Sequence, residues 1–388
     1  AYWSAAHLLP LLLPTCRCSD SIADPDHPEN AEEGAYYLWT AEEVRGVLGE
    51  PVAGWFCSHY GVGAEGEWVL SETQTLEETA AQAGMDASIV ANALAEARRK
   101  LLEHRNRRPR PARDEKILTC WNGLMLSALA RAARVLGDDR YLDAASACVR
   151  FLGSRLAGGE GLLRRYWRGE AGIPAFLEDY AYLVQGLLDL YEASLDPVYL
   201  DWGVKLWARQ AELFEDSEGG GYFSTRRDAA LPVRFKDDYD GAEPSANSIS
   251  ALNALRLAAI TGREEYREQA RRTLAAFGRQ LAVAPDSLPL MVVAALYERS
   301  GMRQVVFRGD VRGEAVRRLR RVVDRGFYPD VVVLAVEPQE EPAWRAALAG
   351  GSSEAAAHVC ENFACQAPVD DPEELARQLR TGRTPLAG

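Results

Sequence analysis

A unit that occurs three times along the middle of the chain constrains its fold more than any single motif. In each copy an apolar run of helical length ends at a short turn that carries a tyrosine. The residue that opens the run lies 19 positions before that tyrosine. The three pairs are Asn122 with Tyr141, Tyr180 with Tyr199, and Asn247 with Tyr266. Self-similarity at a steady period predicts an array of stacked helical hairpins.

The two helices predicted for each hairpin differ in polarity. The first helices are apolar almost all round, with isolated charges such as Asp189 and Arg256, so they should be buried on two sides. The second helices have one apolar and one charged face, so they should be half-exposed. The predicted ranges are 122–136, 180–193 and 247–260 for the first helices, and 139–156, 197–214 and 263–281 for the second. This pattern predicts a mainly α fold, an α/α toroid with an inner ring of helices wrapped by an outer ring. The ring should be incomplete, because only about three hairpins are present.

The pattern changes after a last helix near Leu288 to Glu298. Two apolar runs, Gln304 to Phe307 and Val331 to Val336, are typical of buried strands, and a basic helix over Glu314 to Val323 separates them. We therefore expect a small C-terminal α/β region. The predicted division is an irregular segment over 1–35, the partial toroid over 36–300 and the α/β region over 301–388.

Composition excludes several classes of function. A net charge of −13 and a pI near 5.1 argue against nucleic-acid binding, which depends on basic residues that neutralise phosphates. No segment is long and apolar enough to span a bilayer, so we expect a soluble protein, cytoplasmic by default, with its own N-terminus missing from this sequence. The seven scattered cysteines are typical of a reduced compartment. No motif predicts a metal or another cofactor, and the sequence leaves the oligomeric state open.

Loop lengths indicate which end of the hairpins is functional. Connections from inner to outer helices are only four or five residues long, whereas the returning connections, 157–177 and 215–245, are long. Long loops inside a compact domain are usually functional. All three opening residues lie at the end of the array where the long loops are, so they should converge on one rim.

Carboxylates are concentrated at this predicted rim, and the densest polar cluster runs from Lys236 to Ser248. Glycosidic chemistry typically uses two carboxyl groups across the scissile bond. We expect Asp240 and Glu243 to be the acid/base pair, with Glu178 and Asp179 as supporting carboxylates. The expected substrate contacts are Trp121, Asn122, Tyr180 and Asn247. A structural alternative stays open, because acidic residues, Ser and Asn in a first helical turn also act as caps.

Two further residue types bear on the chemistry. All five histidines lie outside the three openings, so the rim has no candidate for imidazole catalysis. Cys360 and Cys365 have neither CxxC nor zinc-site spacing, and they are either a buried structural pair or a redox pair. Sulfur atoms at bonding distance would support the redox hypothesis.

Six ordered stretches resemble the family of spermatogenesis-associated protein 20. They are Glu33 to Thr40, Lys116 to Leu124, Phe176 to Ala181, Gly219 to Phe223, Asp240 to Ser248 and Val359 to Cys365. The resemblance implies a thioredoxin-like domain, absent from this sequence, followed by a six-hairpin glycosidase-like toroid. It also implies a superfamily shared with glycoside hydrolases and N-acylglucosamine 2-epimerases.

The resemblance leaves two function hypotheses open. The first is a carbohydrate-active or carbohydrate-binding toroid with a small sugar ligand. The epimerase form of it is disfavoured, because those relatives use histidines as acid and base and none falls at the matched openings. The second is a non-catalytic scaffold or regulatory partner of the thioredoxin-like module, with a redox or fertility-related role. The scaffold hypothesis predicts a toroid centre plugged by side chains.

Overall fold

A computed structural model of the chain describes residues 18–23, 36–108, 111–158, 161–227, 231–336 and 355–381. The described residues form two compact units, one ending at Glu115 and the other beginning at Lys116. The sequence-based division at residues 36 and 301 stays a prediction.

The first unit is a small helical cluster with one strand pair. Its elements are α1 (Ala41–Leu48), α2 (Val52–Tyr60), α3 (Leu76–Ala83), α4 (Ala87–Arg105), β1 (Cys18–Ala23) and β2 (Pro111–Asp114). Thr40 caps α1 by accepting the backbone N–H of Glu43, as the Thr-x-x-Glu pattern predicts. The expectation of wholly irregular structure before residue 36 was wrong for β1, which pairs antiparallel with β2.

The second unit consists mainly of helical hairpins, with four strands in the loops that lead into the inner helices. Its inner helices are α5 (Thr119–Leu136), α7 (Leu177–Ser194), α9 (Ala246–Thr261) and α12 (Pro289–Ser300). Its outer helices are α6 (Asp139–Arg155), α8 (Pro197–Phe214) and α10 (Glu264–Ala276), followed by the short α11 (Gly278–Val283). Successive inner helices pack side by side, and each outer helix backs the inner helix before it. The prediction of a mainly α, incomplete α/α toroid is confirmed.

Short turns between inner and outer helices follow from their sequence. The first three inner helices each end at a residue in the left-handed conformation: Gly137 at φ 66°, Leu195 at φ 59° and Gly262 at φ 76°. Asp138 and Asp196 then cap the next helices by accepting backbone N–H groups. Glycine adopts this conformation without steric cost, whereas leucine adopts it at a steric cost.

Long loops with strand structure return the chain to the inner ring. The strands are β3 (Ile117–Leu118), β4 (Ala157–Gly158), β5 (Gly161–Trp167) and β6 (Glu170–Pro174). The strand β5 pairs antiparallel with each of the other three, which fixes the start of α5 beside the loop that leads into α7. The openings of two inner helices are thereby held together at one rim.

A four-stranded sheet forms the C-terminal part of the second unit. Its strands are β7 (Arg303–Arg308), β8 (Val331–Ala335), β9 (Ala356–Glu361) and β10 (Ala364–Cys365), in the order β10-β9-β7-β8. β7 and β8 are parallel and are joined through α13 (Glu314–Arg325), as the βαβ pattern predicts. One face of the sheet packs on α13 and on α14 (Pro372–Thr381), and the opposite face contacts α7 and α9. Among the described helices, none combines the length and apolar character needed to cross a membrane.

Candidate functional site

Trp121 and Glu243 meet at the rim where the inner helices begin. The indole Nε1–H of Trp121, in the first turn of α5, donates to Oε1 of Glu243 over 2.6 Å. Glu243 lies in the loop before α9 and is exposed, and Trp121 is half-buried. This bond joins the openings of two inner helices that are 122 residues apart in sequence. The predicted convergence of the first and third openings is confirmed for these two residues.

Glu178 contributes a second accessible carboxylate from the first turn of α7. Its Oε1 accepts from Nη1 of Arg164 on β5 over 2.5 Å, and its side chain is 36% exposed. The Arg164 guanidinium also lies over the Phe176 ring, 4.8 Å from its centroid. The long loop therefore supplies a cation that orients Glu178.

Asp179 is buried next to Glu178 and holds two helix openings together. Its carboxylate accepts the backbone N–H of Cys120 over 3.0 Å and that of Phe176 over 2.9 Å, and Arg164 lies 3.3 Å away. Burial raises the pKa of Asp179 to about 6, and these hydrogen bonds and Arg164 offset only part of that effect. Asp179 serves as the cap that the structural alternative predicts.

The raised pKa of Asp179 leads to a pH prediction. A carboxyl group with a folded-state pKa near 6 and an unfolded value near 3.9 stabilises the fold most below pH 4, and that stability is lost as pH rises to about 6. The difference in unfolding free energy between wild type and Asp179→Asn should shrink over this window by on the order of 1–3 kcal/mol. Urea denaturation at pH 4, 5, 6 and 7 measures it. Parallel pH profiles for the two proteins would contradict the raised pKa.

Asp240 connects the starts of two inner helices. Its Oδ1 accepts the backbone N–H of Ser245, just before α9, and its Oδ2 accepts that of Leu290 at the start of α12, each over 2.8 Å. Both carboxylate oxygens therefore have backbone donors. This geometry suits a residue that positions the Glu243 loop.

Three other predicted contact residues are fully buried, and their polar atoms bond to the backbone. Nδ2 of Asn122 donates to the Leu118 carbonyl, and the Tyr180 hydroxyl accepts the N–H of Leu162. Asn247 exchanges two hydrogen bonds with the backbone of Tyr222. These residues fasten the long loops to the inner helices, and they lie beneath the accessible surface of the rim.

Sequence reasoning missed two residues at the centre of the rim. The Tyr182 hydroxyl donates to the Pro244 carbonyl over 2.5 Å. Burial, and then Glu243 and Glu178, raise the pKa of Tyr182, which keeps the phenol neutral. Burial, and then Asp179 and Glu178, raise the pKa of the Cys120 thiol, so it is not an activated nucleophile. Neither residue stands out in the sequence, because both fall within apolar helical runs.

The concave side of the helical arc holds a cavity of about 430 Å³. Its walls come from the four inner helices and from segment 323–331, and Pro244, the residue after Glu243, also lines it. The scaffold hypothesis predicts a plugged centre, so this cavity counts against it.

The structure also shows how two cysteines pair and whether side chains are grouped to bind a metal. Cys360 and Cys365 face each other across β9 and β10 and form a disulfide. The sulfur atoms thus meet the condition set for the redox hypothesis, and the expectation of reduced cysteines was wrong for this pair. Within the described ranges no group of His, Cys, Asp and Glu side chains is arranged to hold a metal ion.

Solved structures with a partly similar arrangement include sugar-processing enzymes. Cellobiose 2-epimerase from Bacillus thermoamylovorans is 17% identical, with a TM-score of 0.37 over 42% of this chain and 45% of that chain. A GH76 α-mannanase from Bacteroides thetaiotaomicron is 16% identical, with a TM-score of 0.40 over 62% of this chain and 68% of that chain. At these values no conclusion about the chemistry of this chain rests on them.

Sequence relatives are much closer. No protein-family model matches the chain. Spermatogenesis-associated protein 20 from Homo sapiens is 36% identical over 93% of this chain and 51% of that protein, and the Rattus norvegicus protein is 34% identical over the same shares. An uncharacterized protein from Caenorhabditis elegans is 32% identical over 92% of this chain and 53% of that protein. The chain thus spans about half the length of the curated relatives it matches, and over nearly its whole own length it is similar to spermatogenesis-associated protein 20.

Proposed function

We propose that this chain binds a carbohydrate at the rim of the inner helices and acts on it with Glu243 as acid or base. The hydrogen bond between Trp121 and the accessible carboxylate of Glu243 carries the proposal. An indole face next to a carboxylate suits a sugar, because the ring packs on C–H groups while the carboxylate bonds to hydroxyls or transfers a proton.

The accessible and the buried carboxylates take different roles in this proposal. Glu243 and Glu178 face the ligand, and they lie close enough together for both to raise the pKa of Tyr182. Asp240, the expected partner of Glu243, and Asp179 bond to backbone N–H groups and position the loops. The neutral Tyr182 and Cys120 provide no anionic nucleophile. The reaction therefore depends on the two glutamates.

The rim proposal predicts a separation of binding from turnover in Glu243→Gln. Glutamine can still accept the Trp121 indole hydrogen bond, so sugar affinity should change by less than about threefold. Turnover should fall by about 10²-fold or more, because the amide cannot transfer a proton. The measurement is NMR of the full chain incubated with neutral monosaccharides and α- and β-linked disaccharides, with calorimetry for affinity.

Two comparisons make this experiment specific. Trp121→Ala should weaken sugar binding, because the packing surface is removed. Glu265→Gln serves as a matched control, since Glu265 is an exposed glutamate on the opposite, short-turn rim. If Glu243→Gln and Glu265→Gln turn over every substrate at the same rate, Glu243 is not the acid or base.

A further inference from the structure

A chain of alternating charges runs along the wall of the central cavity and joins α5, α7, α9 and α13. Each acid in it lies between two arginines, at N···O distances from 2.7 to 3.1 Å. The order is Arg131, Asp189, Arg256, Glu192, Arg134, Asp324 and Arg320. Because an arginine stands at both ends, the chain carries one positive charge more than its acids balance.

The two ends of this charge chain have different surroundings. Arg320 has a side chain only 13% exposed and donates to two carbonyl oxygens in the last turn of α7. The C-terminus of a helix carries about half a negative charge, so this end is compensated. Arg131 lines the cavity, 60% of its side chain is exposed, and the acid that it contacts, Asp189, is shared with Arg256. The excess positive charge therefore lies at Arg131.

Arg131 also has hydrogen-bond donors left for a ligand. Its Nε and Nη2 donate to Asp189 over 3.1 and 3.4 Å, which engages one side of the guanidinium. Its Nη1 makes no hydrogen bond to the described residues. Nη1 and the second N–H of Nη2 together form the end of the guanidinium, whose parallel N–H groups match the two oxygens of a carboxylate. The exposure of the side chain leaves this end open to a molecule in the cavity.

The size of the cavity and its remaining wall favour an organic anion over a simple ion. Apolar side chains of three inner helices, Leu124, Leu252 and Val293, line the same space. A volume of about 430 Å³ falls within the roughly 300–1,000 Å³ of small-molecule sites. Such sites combine an apolar lining with a few polar groups in fixed positions, as this cavity does.

We infer that the cavity is an acid-binding subsite, in which Arg131 holds the carboxylate of a sugar acid through two hydrogen bonds. The choice of a sugar rests on the proposed function, and the choice of a carboxylate rests on the single excess charge. Arg131 follows Trp121 by ten residues, which is ~15 Å along α5. The carboxylate and the group that meets Glu243 therefore belong to different sugar units. The substrate class is an acidic oligosaccharide.

Calorimetry of the full chain with glucose, glucuronate and glucose 6-phosphate at pH 7 tests the subsite. Glucuronate should bind at least about tenfold more tightly than glucose, because the two differ only in the carboxylate that Arg131 receives. Glucose 6-phosphate should bind more weakly than glucuronate, because most of its phosphate groups carry a second negative charge that nothing in the cavity wall balances.

Arg131→Gln should remove the preference for glucuronate and leave the Kd for glucose within about twofold of wild type. Asp189 keeps Arg256 and Ser127 as partners, so this variant should still unfold cooperatively on heating. Arg131→Lys keeps the charge but loses the two parallel donors, so it should retain only part of the preference. This second variant and the comparison of ligands on wild type decide the question even if Arg131→Gln does not fold.

Arg140→Gln is the matched control. The Arg140 side chain is 61% exposed and pairs with one carboxylate, that of Asp138, but it does not line the cavity. The affinities of this variant for glucose and glucuronate should equal those of wild type.

The outcomes separate this subsite from the rim proposal. Absence of glucuronate binding, equal affinity of wild type for glucuronate and glucose, or an unchanged preference in Arg131→Gln overturns the subsite. Tighter binding of glucose 6-phosphate than of glucuronate overturns the choice of a carboxylate. If Glu243→Gln loses turnover in any of these cases, the rim proposal still stands. If glucuronate binding depends on Arg131 while Glu243→Gln leaves turnover unchanged, the subsite stands and the rim proposal fails.

Discussion

Gly123→Ala should lower the free energy of unfolding by about 3 kcal/mol, although alanine is the better helix former. A Cβ at Gly123 would lie 2.6 Å from the carbonyl carbon of Tyr182 and 2.7 Å from the amide nitrogen of Leu183. Both are backbone atoms of α7 and cannot rotate away. Gly186 on α7 makes the reciprocal contact, because its Cβ would lie 2.7 Å from the Gly123 carbonyl oxygen. Helices α5 and α7 would have to separate, and the rim residues on both would move with them.

Gly153→Ala is the matched control for this prediction. Gly153 lies in outer helix α6, where a Cβ would meet only the Trp202 ring at an ordinary 3.5 Å. Alanine there should raise stability by roughly 0.5–1 kcal/mol. Urea denaturation of both variants measures the difference. Equal stabilities for Gly123→Ala and Gly153→Ala would show that α5 and α7 do not pack at backbone contact.

Asp189→Ala should lower the free energy of unfolding by about 3–5 kcal/mol, because it removes one partner of a buried ion pair. Asp189 is 4% exposed and accepts from the Ser127 hydroxyl, from Arg131 and from Arg256, the last over 2.7 Å. Burial alone would raise the pKa of Asp189, but Arg256 and Arg131 outweigh it and hold the pKa below its usual range. Its stabilisation is therefore present above about pH 4 and is lost as pH falls through the depressed folded-state pKa.

An exposed ion pair provides the comparison for Asp189. Glu212 pairs with Arg209 on outer helix α8 and is 65% exposed. Glu212→Ala should change the free energy of unfolding by less than about 1 kcal/mol, because water screens the pair. Denaturation at pH 7 measures both variants. A loss below about 1 kcal/mol for Asp189→Ala would mean that water already reaches this carboxylate.

The array of hairpins could be predicted from sequence, because its signal is local. The spacing of Asn122, Tyr180 and Asn247 from their turn tyrosines follows from helix length, and the contrast between inner and outer helices follows from burial. Helical periodicity does not show which buried charges pair. Asp189 and Arg256 appear in the sequence as isolated charges in apolar helices, and the structure pairs them across 67 residues.

The candidate site was predictable only in part, since its geometry depends on contacts between distant segments. The rim itself followed from loop lengths, and Glu178 and Glu243 were among its expected carboxylates. The roles of Asp179 and Asp240 could not be read from the sequence, because both bond to backbone N–H groups of other segments. Arg164 was missed because it lies on a strand of the long loop, where its partner 14 residues away is not visible as a pattern.

Leu195, in the left-handed turn between α7 and α8, ties the helical array to the C-terminal sheet. Its side chain is 3% exposed and packs with Val305, Phe307 and Leu319 of the sheet and α13. The backbone conformation costs a leucine roughly 1–2 kcal/mol, which this burial offsets. The secondary structure changes near residue 300, but we expect the helices before it and the sheet after it to unfold together. A chain that ended there would keep the strained backbone at Leu195 but would lose the burial of its side chain, which offsets the strain. The C-terminal sheet is therefore an integral support of the helical array.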